Sequence, residues 1–265
     1  MTTQNEPAVL DISLPAPPSF RLDGKRALVT GAGRGIGLAG AAAMAKAGAH
    51  VTLVARSSAE LESLARAIER DGGHAEAAPL DVTDIGSVER VLSNLEPFDI
   101  LVNSAGTNQP APFLDVTAEQ YDTIMGLNVR SLFFVSQVVA RRMREAGRPG
   151  SIIHISSQMG HVGAATRTVY CGSKWAIEGM TKAMAVDLAP FGIRVNTIGP
   201  TFIETPLSTR FLNDEAFKSQ VLTKIKLGRI GRVEDVTGAI VFLASEASSL
   251  MTGSAVVIDG GWTAD

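Results

Sequence analysis

The feature that most constrains this chain is the regular alternation, from Lys25 onward, of short apolar segments with longer segments of helical periodicity. The short, β-rich segments predict strands at 26–30, 50–55, 75–80, 98–103, 150–156, 192–198 and 254–258. The longer segments predict helices at 35–48, 59–72, 84–95, 117–147, 168–190, 208–226 and 233–245. Strands that alternate with helices form βαβ units around a parallel sheet. The pattern therefore predicts an α/β fold.

The length and composition agree with one large domain. A chain of 265 residues can bury a substantial core, and its 26 glycines and low aromatic content of 5% suit helices packed closely on a parallel sheet. Residues 1–20 contain Pro15, Pro17 and Pro18 and predict a flexible N-terminal arm, which leaves 21–265 as the single domain. The net charge of −3 argues against a nucleic-acid partner or an anionic membrane surface.

The cysteine content and the N-terminus indicate a compartment. Cys171 is the only cysteine, which excludes an internal disulfide and a cysteine-based zinc site, and no His/Cys/carboxylate cluster predicts another metal. Glu6 and Asp11 interrupt the N-terminus, so we expect no signal peptide. The longest apolar runs are near ten residues, too short to span a bilayer. We expect a soluble, cytoplasmic protein.

A glycine-rich turn separates the first predicted strand from the first predicted helix. The residues of this turn that we assign to cofactor binding are Gly31, Gly33, Arg34, Gly35, Ile36 and Gly37. Glycines at such a turn let the backbone approach a pyrophosphate, and the helix N-terminus offers free N–H groups and a positive dipole end. Glycine is common in this chain, so it is the position between strand and helix that predicts a dinucleotide site.

The end of the second predicted strand bears on the choice of dinucleotide. A carboxylate there would bond the adenosine ribose hydroxyls and repel a 2′-phosphate, but this chain has Ala55 and Arg56. Arg56, with Arg34, suits a bidentate clamp on a 2′-phosphate. We therefore expect NADP(H) as the favoured cofactor. NAD(H) is the alternative if both arginines are only solvated surface residues.

The third and fourth predicted strands also end in candidate cofactor contacts. Asp81 and Val82 follow the third strand, where a carboxylate can bond the adenine amino group, although Asp81 can equally cap the next helix together with Asp84. After the fourth strand, small residues and one amide lie in a position to support the adenosine half, or to form only a structural turn. Those assigned to cofactor binding are Asn103, Ala105 and Gly106.

Ser157, Tyr170 and Lys174 form the candidate catalytic group. Tyr170 and Lys174 are four residues apart, so on a helix both side chains lie on one face. A lysine ammonium near the phenol favours the phenolate and lowers a pKa that is ordinarily about 10. Ser157 follows an apolar segment, 151–155, that predicts a buried strand, so its hydroxyl can meet the helix-borne pair at one substrate oxygen. By themselves, Tyr170 and Lys174 fit an ordinary exposed helix pair better than a catalytic one.

Taken together, these motifs resemble a classical short-chain dehydrogenase/reductase over residues 21–263. The motifs that carry the resemblance are Thr30-Gly31-x-x-x-Gly35-Ile36-Gly37, Asn103-Ser104-Ala105-Gly106, Asn128, Ser157 and Tyr170-x-x-x-Lys174, in this order. Each motif alone is loose, but their order and spacing are specific. The resemblance implies a single Rossmann-like, doubly wound domain with a seven-stranded parallel sheet and helices on both faces. It also implies a homotetramer.

The resemblance assigns roles to individual residues. Tyr170 would be the catalytic acid/base, and Lys174 would lower its pKa and bond the nicotinamide ribose. Ser157 would hold the substrate oxygen, and Asn128 would kink its helix and hold a water in a proton relay. The loop from 200 to 205 would meet the nicotinamide carboxamide, through Pro200, Ile203 and Thr205. Three positions depart from the family pattern, namely Ser104, His154 and Thr201.

The resemblance implies an oxidoreductase that moves a hydride between NADP(H) or NAD(H) and a carbonyl or secondary alcohol. The candidate substrate residues are Gln109, Gln158, His161, Arg167, Thr201 and Phe202, beside a helix near 207–217 that could close as a lid. Their polarity suggests a sugar, polyol or hydroxy acid, unless His161 and Arg167 face solvent or a subunit contact. The alternatives are a 3-oxoacyl thioester or an apolar ketone. A non-catalytic nucleotide-binding redox sensor is the competing class.

Overall fold

The computed structural model describes residues 13–264 and confirms the parallel α/β sheet. Its seven strands are β1 Arg26–Thr30, β2 His50–Ala55, β3 His74–Pro79, β4 Ile100–Asn103, β5 Gly150–Ile155, β6 Ile193–Pro200 and β7 Ala255–Ile258. They pair in parallel in the order β3-β2-β1-β4-β5-β6-β7. The predicted strands match these within two residues at each end.

The helices lie in two layers that cover the two faces of the sheet. They are α1 Gly35–Lys46, α2 Ser58–Arg70, α3 Ile85–Ser93, α4 Ala118–Met125, α5 Leu132–Glu145, α6 Thr168–Leu188, α7 Pro206–Leu212, α8 Glu215–Lys224 and α9 Glu234–Ala244. One face packs against α1, α2 and α9, and the other against α3, α5 and α6. The doubly wound, Rossmann-like fold is therefore confirmed.

The alternation of side chains along the strands explains the two layers. In β1, Val29 belongs to the core under α1, α2 and α9, whereas its neighbour Leu28 belongs to the core on the opposite face. Both are completely buried, since successive strand residues point to opposite faces and both faces are covered. This is why the strands contain near-continuous apolar runs.

Two predicted helices differ from the structure. The prediction of one helix over 208–226 is wrong, because the chain breaks after α7 and Asp214 starts α8 by accepting from the N–H groups of Ala216 and Phe217, at 2.9 and 3.1 Å. The helix predicted over 117–147 contains one turn of π-helix, Gly126–Ser131, between α4 and α5. Asn128 lies in that turn, and π-helical turns are frequent at functional sites.

The helical stretch Ala118–Glu145 is long and apolar enough, by length and composition alone, to cross a membrane; it is one such stretch among residues 13–264. Half of its most apolar part is buried inside the fold. Val135, Val139 and Met143 of α5 lie in the core beneath the sheet. These contacts explain its apolar composition as that of a core helix.

The structure describes the second part of the predicted N-terminal arm. Residues 1–12 of the predicted arm, 1–20, lie outside the described residues. Residues 13–20 are exposed and contain no helix or strand. Phe20 contacts Phe242 of α9, with 6.1 Å between the ring centroids, so the end of the arm meets the domain there.

The order of the strands predicts where a ligand-binding crevice lies. The sheet runs outward from β1 to β2 and β3 on one side, and from β4 to β7 on the other. The connections that follow β1 and β4 therefore leave in opposite directions. In open α/β sheets, ligands bind at the carboxyl ends of the strands at such a switch point.

Candidate active site

A crevice of about 1050 Å³ lies at the carboxyl ends of the strands. One end is lined by the turn after β1 and the loops after β2 and β3. The other end is lined by the segment after β5, the start of α6 and the chain from Pro200 to α7. The crevice contains most of the predicted site residues, so distant parts of the sequence meet in one place.

The glycine turn after β1 is shaped by close backbone packing. Gly31 has a φ of +67°, and a Cβ atom on it would lie 2.8 Å from the Cα atom of Ala105. A Cβ on Gly37 would overlap the carbonyl of Gly31 beneath the turn, so Gly37 supports the turn and does not line the crevice. Side chains at either position would displace the backbone. Because both residues are glycines, the turn packs closely and leaves a cradle for a diphosphate in front of α1.

Arg34 and Arg56 both line the adenosine end of the crevice and are exposed. Neither forms an ion pair with any of the described residues. The sequence missed two neighbours. Ser57 caps α2 by accepting from the N–H of Glu60, and the Glu60 carboxylate lies over Gly33, where a Cβ atom would be 2.6 Å from it. The carboxylate of Glu60 therefore lies close to the two arginines at this end of the crevice.

Asp81 and Val82 also line this end. One oxygen of Asp81 accepts from the backbone N–H and the hydroxyl of Thr83, at 2.9 and 2.7 Å. Asp84, by contrast, caps α3 by accepting from the N–H of Ser87. Of the two capping candidates, the structure therefore assigns the cap to Asp84, and Asp81 remains a residue of the crevice lining.

Hydrogen bonds to Thr30, at the end of β1, hold the segment after β4 in place. The hydroxyl of Thr30 accepts from the N–H groups of Ser104 and Ala105, at 3.2 and 3.3 Å. Ala105 and Gly106 line the crevice, as predicted. Asn103 does not, because its side chain is buried and donates to the Ser136 hydroxyl at 2.9 Å. Asn103 therefore supports the segment from inside the core.

Ser157, Tyr170 and Lys174 meet at the crevice, although the first follows β5 and the other two lie on α6. The N–H of Met159 donates to the Ser157 hydroxyl, which itself donates to Oε1 of Gln158 at 2.8 Å. The Lys174 ammonium donates to the carbonyl of Ile155 at 2.9 Å and lies 5.6 Å from the centre of the Tyr170 ring. The strand end and the helix face thus converge.

The pKa of Tyr170 differs from the sequence expectation. Burial raises the pKa of the phenol, while its hydrogen bond with Ser157 and the nearby charge of Arg167 oppose the rise. The expected lowering by Lys174 is not among the effects that act on the phenol. Burial also lowers the pKa of Lys174 to about 8, although the negative charge of Glu178 opposes this effect. A protonated tyrosine suits proton donation.

Asn128 links the π-helical turn to this group. Its side-chain oxygen accepts from the N–H of Thr107 at 2.8 Å, and its amide donates to the Thr107 carbonyl and the Ser173 hydroxyl, each at 3.0 Å. A Cβ atom on Gly106 would lie 3.3 Å from the Asn128 oxygen and 4.0 Å from the Lys174 nitrogen. Asn128 is buried behind the crevice and fixes the backbone beside Lys174.

The loop after β6 closes the crevice. Pro200, Ile203 and Thr205 all line it. Ile203 pairs with Gly231 in an isolated parallel bridge, and Thr205 caps α7 in a reciprocal arrangement with Ser208. The methyl group of Thr205 would lie 3.3 Å from a Cβ atom on Gly35, so this loop reaches across to the glycine turn.

Four of the six predicted substrate residues line the crevice, namely Gln158, Arg167, Thr201 and Phe202. Gln109 and His161 do not. His161 lies behind α6, with its Nε2 atom 3.6 Å from the Glu178 carboxylate, and the sequence could not show which way this residue turns after β5. Asn108 lines the crevice in place of its neighbour Gln109.

Residues of α7, which overlaps the region 207–217 where the sequence placed a helix beside the substrate residues, line the crevice. Phe211 and Arg210 do so, and an Arg210 nitrogen donates to the Asn108 carbonyl at 2.5 Å. Only contacts between distant segments identify them, since α7 has no motif. Within residues 13–264, no group of three or more His, Cys, Asp or Glu side chains is placed to hold a metal ion.

Comparisons with known proteins identify the family. A family model described as "Enoyl-(Acyl carrier protein) reductase" matches residues 31–263. L-xylulose reductase of Bos taurus is 43% identical over 92% of this chain and 99% of its own. The chain belongs to the short-chain dehydrogenase/reductase family.

Two further relatives support this membership. Gluconate 5-dehydrogenase of Gluconobacter oxydans is 39% identical over 93% of this chain and 98% of its own. The crystal structure of a gluconate 5-dehydrogenase from Burkholderia cenocepacia, in complex with NADP and tartrate, is 36% identical with a TM-score of 0.89 over 93% of this chain and 98% of that one. The short-chain dehydrogenase/reductase described here is therefore an oxidoreductase, as the sequence predicted.

Proposed function

We propose that this enzyme interconverts a ketone and a secondary alcohol on a small polyhydroxylated substrate, with NADP(H) as the favoured cofactor. The observation that carries the proposal is the convergence of Ser157, Tyr170 and Lys174 in one crevice with the glycine cradle. The crevice thus offers a proton-transfer group at one end and a diphosphate site at the other.

In this proposal, Ser157 and Tyr170 donate hydrogen bonds to the substrate oxygen, where negative charge develops during reduction. Tyr170 then gives its proton to that oxygen, and in oxidation its phenolate takes the proton back. Lys174 holds positive charge beside the phenol, and Asn128 keeps the backbone at Thr107 in place next to Lys174. The nicotinamide, when bound, supplies or accepts the hydride.

The cofactor fits the residues of the crevice. The backbone cradle of Gly31 and Gly35 suits the diphosphate, because Cβ atoms there would meet Ala105 and Thr205. Asp81 and Val82 are placed to contact the adenine. Ala105 and Gly106 are placed on the side of the adenosine ribose. The chain at the nicotinamide end offers Pro200, Ile203 and Thr205, with Lys174 for the ribose.

The preference for NADP(H) rests on Arg34 and Arg56, two cations with no ion-pair partner among the described residues. A 2′-phosphate would give them charge-assisted hydrogen bonds, each stronger than a neutral bond. We expect Arg56→Ala to weaken NADPH binding by about 10- to 100-fold and to leave NADH binding nearly unchanged. Fluorescence titration measures both, with Arg70→Ala at the far end of α2 as the control. Equal losses for both nucleotides would refute the clamp.

Unpaired polar atoms support a polyhydroxylated substrate. Oδ1 of Asn108 and Oγ1 of Thr201 are buried without a hydrogen-bond partner, and both residues line the crevice near Gln158. Buried polar groups are nearly always bonded, so a ligand rich in hydroxyls would satisfy them. Relatives named L-xylulose reductase, D-erythrulose reductase and gluconate 5-dehydrogenase are in accord with such a substrate.

A Tyr170→Phe variant distinguishes the enzyme from a redox sensor that only binds nucleotide. We expect loss of at least about 100-fold in kcat, because general acid–base catalysis typically contributes that much. NADPH affinity should stay within a few-fold of wild type. Unchanged turnover of a good substrate would remove Tyr170 from the catalytic group.

The second candidate function is reduction of a 3-oxoacyl thioester or an apolar ketone. The description of the matching family model and the aromatic side chains of Phe202 and Phe211 favour it. Steady-state rates on ketoses, polyols, an acyl thioester and an apolar ketone decide between the two. Higher kcat/KM on the apolar substrates would overturn our first choice.

We further propose a single domain from residue 21, a homotetramer and a cytoplasmic location. An apolar groove between α5 and α6, lined by Phe133, Met184 and Phe191, supports assembly through these helices. The single reduced cysteine, Cys171, suits a reducing compartment. Light scattering after gel filtration tests the homotetramer, and fractionation of cells tests the location. A monomer would contradict the first, and a membrane fraction would contradict the second.

A further inference from the structure

Arg167 is a buried cation without a partner in the substrate end of the crevice. Only 5% of the residue is exposed, and its Nη1 atom forms no hydrogen bond. Within the described part of the chain its guanidinium forms no ion pair either. Arginine stays charged in proteins, and a buried charge that lacks a counter-ion is costly. A group that offsets this charge is therefore expected to come from a ligand.

The backbone holds Arg167 in this position. It directly precedes α6, and the residue before it, Thr166, has a φ of +60°, which no other non-glycine residue in 13–264 shares. The N–H of Ala111 donates to the Thr166 carbonyl at 3.0 Å and fixes that conformation. Strained backbone of this kind persists where the surroundings impose it, and it is concentrated at ligand sites.

Two aromatic rings hold the guanidinium. Its central carbon lies 5.1 Å from the centre of the Phe211 ring and 5.6 Å from that of Phe217. These rings come from α7 and α8, so the side chain is held between α6 and the aromatic wall. Stacking orients the planar guanidinium and leaves its N–H groups free to bond an anion in the plane.

The charges around Arg167 leave it unneutralised. The groups whose charge acts on it are Tyr170, Cys171 and Arg210, and no carboxylate is among them. Burial lowers the pKa of Arg167. The N-terminal end of α6, with its positive dipole, adds to the field. The substrate end of the crevice therefore attracts an anion.

We propose that Arg167 binds a carboxylate of the substrate, so that the enzyme acts on sugar acids in preference to neutral sugars and alditols. This inference rests on the proposed function and narrows its substrate class. Arg167 precedes Tyr170 by three residues, one helical turn, so the carboxylate lies within a short carbon chain of the reacting carbon. The neighbouring cation, Arg210, already donates to the Asn108 carbonyl. The guanidinium that remains is that of Arg167, and its fork of N–H groups matches the two oxygens of one carboxylate.

The test uses matched pairs that differ only at one carbon. D-gluconate and D-glucitol, D-galactonate and galactitol, and D-xylonate and xylitol differ by a carboxylate in place of a hydroxymethyl group. With NADP⁺, we expect kcat/KM for the best aldonate to exceed that for its alditol by at least about 10-fold. Equal or higher values for the alditols would overturn the inference while keeping the proposed function. Turnover of no pair and no ketose would overturn the proposed function itself.

Variants locate the effect at Arg167. Arg167→Leu should raise KM for the aldonate by about 10- to 100-fold and change KM for the alditol by less than about 3-fold. Arg167→Lys should recover part of the loss, because it keeps the charge without the planar fork. Arg70→Leu, on exposed α2, is the control. An equal loss on both members of a pair would make Arg167 a structural residue.

Two further readouts separate ligand binding from folding. Because the buried charge has no partner, Arg167→Leu should unfold at the same temperature as wild type or higher, whereas a structural role requires a lower one. In the presence of NADP⁺, gluconate should raise the unfolding temperature of wild type and not of this variant. A gluconate shift that persists in Arg167→Leu, or a larger Arg167-dependent response to a sugar phosphate, would refute the carboxylate assignment.

Discussion

His154 and Lys174 are bases buried beneath the candidate active site. His154 is fully buried in β5, and its ring nitrogens lie 3.0 Å from the Thr181 hydroxyl and 3.3 Å from that of Ser136. Burial and the charge of Lys174 lower the pKa of His154 to about 3. Both residues therefore link the stability of the fold to pH.

His154 predicts a loss of stability in acid. Because the folded pKa is lowered from 6.5 to about 3, its neutral form is favoured by folding, and that contribution is lost as the pH falls below 6.5. At pH 5 the loss is about 2 kcal/mol. We expect His154→Asn to lose less stability than wild type between pH 7.5 and pH 5. Urea unfolding of both proteins at pH 7.5 and pH 5 measures these losses. Equal losses in the two proteins would contradict the lowered pKa of His154.

Lys174 predicts a dependence of the same sign at alkaline pH, where stability again rises with pH. Folding lowers its pKa from 10.5 to about 8, so the cost of burying the charge is fully present below pH 8 and is relieved as the pH rises towards 10.5. The difference in unfolding free energy between wild type and Lys174→Met should therefore shift in favour of wild type from pH 8 to pH 10. Urea titrations of both proteins test this shift. A constant difference would mean that the ammonium is not desolvated.

At the level of elements, α7 and α8 form the wall of the substrate end. Phe202 contacts Phe217 and Trp262, with ring centres 5.6 and 5.8 Å apart. Phe217 also flanks Arg167. The break between the two helices at Asp214 fixes where α8 begins, and with it the position of Phe217 beside Arg167. We therefore expect the cap of α8 to affect substrate binding without touching the cofactor cradle.

We expect Asp214→Ala to destabilise α8 by about 1 kcal/mol, because the cap bonds to Ala216 and Phe217 are lost. The substrate KM should rise several-fold, while NADPH affinity stays unchanged. Asp84→Ala, which removes the cap of α3 away from the substrate end, is the matched control and should leave KM unchanged. A rise in KM in both variants would indicate a general loss of stability.

At the scale of the whole molecule, the crevice joins both halves of the sheet. Gly31 follows β1, Ser157 follows β5, and the Pro200 loop follows β6, yet all line one site. The two layers of helices pack on a continuous sheet, with extensive cores on both faces. Cofactor binding should therefore stabilise the domain as a unit.

Bound NADPH should raise the unfolding free energy of the entire domain. At a free concentration of 100 times Kd, mass action predicts a gain of about 2.7 kcal/mol. Circular dichroism and tryptophan fluorescence should report one transition, shifted by the same amount, with NADPH present. A second transition that does not respond to NADPH would contradict the single domain.

The short-range patterns sufficed for much of this protein. Apolar segments that alternate with helical ones predicted the seven strands, because the central strands of a parallel sheet are buried on both faces and are nearly continuously apolar. The glycine turn, Ser157 and the pair of Tyr170 and Lys174 were singled out from residue type, spacing and the order of the motifs along the chain. Their chemistry depends on residue type and local order, and both are written along the chain.

Tertiary structure alone decided the rest. The break at Asp214, the inward turn of Asn103, and the exchange of Gln109 for Asn108 depend on contacts between distant segments. The raised pKa of Tyr170 depends on burial, and the isolation of Arg167 depends on which charges the fold leaves away from it. Desolvation and hydrogen-bond partners are properties of the assembled packing, so local sequence determined the machinery and the fold decided its electrostatics.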